Sequence, residues 1–187
     1  NPTDPENAPL KLSSNKPING LDREICFETQ KNGVMFIEGL SVTEPGDLVI
    51  EIQDATDIIL ARSNPLRILE VSNLVHYWGE LHGQSEETIG TNSILDYFTF
   101  ARDQAGVDVI VHQGNDFQIT SDFWEEIQVM TRKFLVEDKL VTFPGYEWSG
   151  NTGLGGDRNV LFLHEGETIR RSSHALVEDL TDLENDC

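Results

Sequence analysis

The feature that most narrows the fold is a switch of hydrophobic period in the second half of the chain. Residues 77–82, 107–111, 140–143 and 158–164 are apolar-rich runs of strand length, while the stretches between the first three repeat apolar side chains at helical spacing. Ser93 is placed to cap a helix with Ile94, Tyr97, Phe98 and Ala101 on one face. Thr120 or Ser121 is placed to cap a second, running through Phe134, with Phe123, Ile127, Met130 and Phe134 on one face. Strand, helix, strand, helix, strand predicts βαβ units and a parallel sheet or barrel of the α/β class.

The first half has a different texture. Residues 1–20 carry Pro2, Pro5, Pro9 and Pro17 without periodicity and read as an extended arm. Residues 21–70 contain short runs such as 34–38 and 47–52, split by Gly33, Gly39 and Pro45-Gly46, which predicts a small β-rich domain. A boundary near residue 70 leaves 71–187 as a second, α/β domain. The cysteines, Cys26 and Cys187, have no paired spacing, so any metal would be held by His and carboxylates.

Thirteen Lys and Arg against 33 Asp and Glu give a formal charge of -20, which repels nucleic acid and anionic membranes at long range. No stretch approaches the roughly 20 apolar residues that span a bilayer, so no membrane insertion is expected. A chain opening on Asn1 in a Pro/Asn/Asp-rich run reads as a mature product or a fragment, with a periplasmic or secreted location favoured over the cytoplasm.

Active sites of parallel α/β folds collect at the carboxyl ends of the strands. His82, His112 and Glu147 occupy such positions, and imidazole with carboxylate suits manganese, zinc or iron in a site that activates water. Each residue alone has a structural reading as a hydrogen-bonding strand-end side chain; the joint placement favours metal. Gln84 and Glu87, just beyond the first strand, are further ligand candidates, although Glu86-Glu87 also reads as a solvated acidic loop.

The polar exit after residue 111 offers Gln113, Asn115 and Asp116 as substrate-binding groups, Asn115-Asp116 being equally an Asx turn before the helix. Arg158, Arg170 and Arg171 stand out among few cations and match an anionic substrate, while surface pairing with nearby acids is the alternative for Arg170-Arg171. Residues 150–156 are Gly-rich without the ending of a nucleotide-binding loop. His112, Glu147 and His174 are the catalytic candidates; His164 and His174 read equally as ligands or proton donors and as structural residues.

Four blocks carry a family resemblance: Tyr77-Trp-Gly-Glu-Leu-His-Gly-Gln-Ser85, His112-Gln-Gly-Asn-Asp-Phe-Gln-Ile119, Phe143-Pro-Gly-Tyr-Glu-Trp-Ser149 and Gly156-Asp-Arg-Asn-Val-Leu-Phe162. They resemble a bacterial domain-of-unknown-function family related to the polymerase-and-histidinol-phosphatase (PHP) metallohydrolases. The resemblance implies a distorted β/α barrel, here partial and preceded by the β-rich domain, with one to three divalent ions hydrolysing a small phosphoester. His82 matches the first-strand ligand, His112 the second-strand histidine and Glu147 the third-strand carboxylate; Gln84 stands where the motif has a second histidine, and Glu80 where Asp is common. Later His and Asp motifs of the family have no counterpart here, so the remainder of the same polypeptide or a second chain would complete the barrel. Competing readings are a metal-assisted hydrolase of amides or sulfate esters, and a non-catalytic binding or structural domain with a decayed site.

Overall fold

The computed structural model describes residues 9–26, 33–150, 153 and 155–172, which fall into two compact units divided between Val75 and His76. His174 and Cys187 lie outside the described residues. In the first unit, β1 (Leu10–Ser14), β2 (Glu24–Ile25), β4 (Ile50–Gln53) and β5 (Ile59–Arg62) form an antiparallel sheet of order β2-β1-β4-β5. β3 (Gly46–Leu48) pairs separately with β6 (Leu66–Ile68). Residues 10–14, read from sequence as part of an extended arm, are thus an inner strand, with Leu12 buried at its centre and the four residues around it half-buried. Residues 34–38, read as a strand, join no ladder.

The second unit is built on a parallel sheet of β7 (Gly79–Gly83), β8 (Val109–His112) and β9 (Val141–Phe143), in that order. Helix α1 (Ile94–Phe100), extended by a π-helical turn over Ala101–Ala105, joins β7 to β8, and α2 (Ser121–Phe134) joins β8 to β9. Both start where the sequence signals a start: Ser93 Oγ accepts the Asp96 amide and Thr120 Oγ1 accepts the Phe123 amide, each relieving an amide with no helical partner. Asp122 in the first turn of α2 and Arg132 and Lys133 in its last complement the helix dipole.

Ile94 and Phe98 of α1, Ala101 of the π-helical turn, and Phe123, Trp124, Ile127 and Phe134 of α2 pack with Ile110, Leu140 and Tyr146 into one buried cluster. Central β8 is flanked on both sides, so Ile110, Val111 and His112 are fully buried. By contrast β7 is an edge strand and largely exposed. Among the described residues no helix is long and apolar enough to cross a membrane.

The expectation of a PHP-like β/α barrel is overturned. Among the described residues there are only two α-helices, the sheets are small, and the parallel sheet stops at three strands without closing. After β9 the chain runs through Pro144 into β10 (Gly145–Ser149) and returns as antiparallel β11 (Asp157–Leu161), paired from Gly145↔Leu161 to Ser149↔Asp157. Between β9 and the end of β11 no helix of the α1 or α2 kind intervenes among the described residues. Gly155 and Gly156 precede that return strand with φ of 89° and 88°, a left-handed backbone that glycine adopts without a Cβ clash and that turns the chain back. A hairpin therefore replaces the next βα unit.

Truncating the centre of the core, Ile127→Ala, is expected to lower stability by about 2–5 kcal/mol, whereas Val129→Ala on the exposed side of the same helix changes it by less than about 0.5 kcal/mol. Urea denaturation of the two variants checks this; equal effects would contradict the assignment of the core face.

Candidate functional site

Glu147 lies at the middle of β10, and its backbone is held from both sides. Its amide donates to Gly114 O (2.8 Å) and its carbonyl accepts from the Asp116 amide (2.9 Å), while β11 sets Asn159 opposite it. The Glu147 side chain is buried, and one oxygen, Oε2, accepts from Gln84 Nε2 (3.0 Å) and Asn115 Nδ2 (2.8 Å). Asn115 Nδ2 also reaches Ser149 Oγ at 2.9 Å, and Thr88 Oγ1 donates to Gln84 Oε1 at 2.8 Å. Gln84 and Asn115 thus turn their N–H groups to the carboxylate, which compensates a buried anion.

The other oxygen, Oε1, faces His82. The β7–β8 register shifts between Glu80 and Gly83, and such irregularities re-aim a side chain. The His82 amide donates to Glu80 Oε1 (2.7 Å), its Nδ1 lies 2.7 Å from Asn159 Oδ1, and its Nε2 lies 3.8 Å from Glu147 Oε1. The His82 side chain is 59% exposed against 8% for Glu147, so the pair is open on the histidine side. Gly83 next to it has no room for a side chain, since a Cβ there would meet the Tyr97 hydroxyl at 2.3 Å. That hydroxyl donates to Val111 O (3.0 Å), and burial pushes it well above the ordinary tyrosine range.

At 3.8 Å the His82 and Glu147 atoms are beyond hydrogen-bonding distance, which leaves a gap between a ring nitrogen and a carboxylate oxygen. The donor types suit a hard or borderline divalent cation, and His82 and Glu147 are the two residues that would hold it. Among the described residues no group of three or more His, Cys, Asp and Glu is assembled for a metal. Two protein donors would leave the remaining coordination positions of such an ion to other oxygens.

The other expected site residues lie elsewhere. His112 is fully buried: Nε2 is taken by Ser85 (amide 3.1 Å, Oγ 2.8 Å), Nδ1 accepts the Gly114 amide (3.2 Å), and the ring meets Tyr97 and Phe123 edge to face. Burial pushes its pKa down from 6.5 to about 4. Glu87 lines a separate cavity of about 320 Å³ with Gln118, Thr120, Asp122, Phe123 and Glu126. Burial pushes its carboxyl up, but hydrogen bonds from Ser85 and from the Glu87 and Ile94 amides outweigh that and hold it below the ordinary range.

Gln113 is buried with Nε2 on Val160 O at 3.2 Å. Asp116 is a buried acceptor for the Ser172 amide and Oγ and for the Ser149 amide (3.4 Å), an anchor for the turn it belongs to. Arg171 donates to the carbonyls of Asp116 and Ile119, and Arg170 exchanges backbone hydrogen bonds with the Tyr146 hydroxyl. Arg158, paired with Trp148 in the ladder, lies one residue out of phase with Glu147 and so on the opposite face; it stacks on the Trp148 ring and donates to Gly155 O and Gly156 O. His164 is exposed. Asn159 is the site residue that sequence reasoning missed: it was in view within a quoted block, but only the antiparallel register brings it to His82.

Over 172 residues the chain is 26% identical to an uncharacterized protein of Chlamydia pneumoniae, and over 163 residues 22% identical to uncharacterized proteins of Chlamydia muridarum and Chlamydia trachomatis serovar D. These matches cover 91% and 86% of the chain but only 27% and 26% of the relatives, so the chain spans about a quarter of their length. No protein-family model and no solved structure matches it.

Because the folded His112 titrates near 4 and an unfolded histidine near 6.5, the unfolded chain takes up the proton first as pH falls. The stability linked to His112 is complete above about pH 6.5 and drains away toward about pH 4. Between about pH 7.5 and pH 5 the wild-type chain is expected to lose about 2 kcal/mol more unfolding free energy than His112→Gln. Urea titrations at the two pH values measure it; equal losses would show that His112 is not buried as a neutral ring.

Proposed function

We infer that this chain carries part of a divalent-metal hydrolase site, with His82 and Glu147 as its metal-holding residues and a small phosphoester as substrate. The single observation that carries this reading is the 3.8 Å gap between His82 Nε2 and Glu147 Oε1 while Oε2 is saturated by two amide N–H groups. A cation bound there supplies Lewis acidity, polarising a phosphoryl oxygen and making water more acidic. The protein's own part is positional. Gln84 and Asn115 fix the carboxylate so that one oxygen faces outward, and exposed His82 leaves the approach open to substrate.

The charge balance supports a small anion over nucleic acid. With 33 acidic and 13 basic residues, the surface field opposes a long polyanion, whereas a compact phosphoester can be held by the cation itself. Arg158 and Arg171 already donate N–H groups to backbone carbonyls, so a bound cation would be the principal partner of the phosphate oxygens. Two protein ligands leave coordination positions for phosphate oxygens, and this favours phosphoesters over amides, whose single carbonyl fills fewer of them.

Calorimetric titration of the 187-residue chain with manganese, beside Glu147→Gln and His82→Ala, tests the reading. Saturable binding by the wild-type chain, weakened more than about tenfold in both variants, together with manganese-dependent hydrolysis of bis(p-nitrophenyl) phosphate that stops in chelator, is the expected outcome. Binding that the variants leave unchanged, or hydrolysis that survives chelator, contradicts it.

A further inference from the structure

We propose that Asn159 is a positioning residue that holds His82 in the tautomer with its proton on Nδ1, and so keeps an Nε2 lone pair facing Glu147. This rests on the reading of His82 as a metal-holding residue. Asn159 stands opposite Glu147 in the β10–β11 ladder, so both side chains belong to one face of the hairpin. Its amide makes two contacts: Nδ2 donates to Leu81 O at 2.6 Å, and Oδ1 lies 2.7 Å from His82 Nδ1.

The first contact decides the second. A backbone carbonyl only accepts, so the NH₂ end of Asn159 must face Leu81, and its oxygen must then face the ring. An oxygen at that distance is a hydrogen-bond acceptor, which requires the proton on Nδ1. In a neutral imidazole the lone pair is then on Nε2, the nitrogen 3.8 Å from Glu147 Oε1. One side chain thus grips the backbone of Leu81 and the ring of His82, adjacent residues of β7, and sets both the aim and the tautomer of the ring. Without it, the Nε2–H form can point its proton at Glu147 and close the gap to a cation.

Nitrogen-15 histidine spectra of the metal-free chain, recorded about two pH units above the ordinary imidazole value, read the tautomer directly. His82→Gln assigns the signal, and circular dichroism checks folding. The wild-type chain and Asn159→Asp, which keeps an oxygen acceptor, are expected to show His82 protonated at Nδ1; Asn159→Leu is expected to move the proton to Nε2 and weaken manganese binding about tenfold or more. Asn159→Ala serves as the same removal should the leucine variant not fold. An Nε2–H signal in the wild-type chain, or an Nδ1–H signal that persists after removal of Asn159, overturns the proposal. Should the tautomer follow Asn159 while even the wild-type chain fails to bind manganese, the positioning role stands and the metal reading alone falls.

Discussion

A carboxylate taken out of water must be met by donors, and Glu147 is where this fold meets that demand. Two amides, from the residue just past β7 and from the turn after β8, converge on Oε2, so the exits of two parallel strands are tied to the middle of β10. The Glu147 backbone closes the same junction through Gly114 and Asp116. Asp116 in turn receives Ser149 and Ser172, and Arg171 clasps the carbonyls of the same turn. The buried carboxylate is thus a node where sheet, turn and hairpin meet, and its remaining oxygen is presented to an exposed histidine.

This arrangement separates residues that support from those that could react. His112 is fully buried and both its nitrogens are occupied, so it packs and orients the β8 exit. Gln84 and Asn115 turn N–H donors toward the Glu147 carboxylate and so hold it in place. His82 and Glu147 then face each other across a gap, one wet and one dry, a geometry that suits a cation reaching the site from solvent.

The helices were legible because their signals are local. Ser93 and Thr120 announce themselves as caps, and the apolar spacing of Phe123, Ile127 and Phe134 survives intact as the buried face of α2. Parallel pairing of the first three strands in the second unit followed from the helices between them. Strand direction beyond β9 was not legible, because it depends on left-handed backbone at Gly155 and Gly156 and not on any apolar period. The barrel expectation came from the family resemblance, and the pairing of Glu147 with Asn159 becomes visible only once β11 returns antiparallel. Nor could composition tell that His112 points into the core, since a strand-end histidine has the same sequence signature on either face.

The most direct measurement is a crystal structure of the chain soaked in manganese, with anomalous scattering collected at an energy where manganese is visible. The expected result is a single strong anomalous peak beside His82 and Glu147, with Gln84 and Asn115 still donating to Glu147 Oε2. An empty gap, or His82 and Glu147 drawn together into a direct hydrogen bond in the presence of the metal, would contradict it.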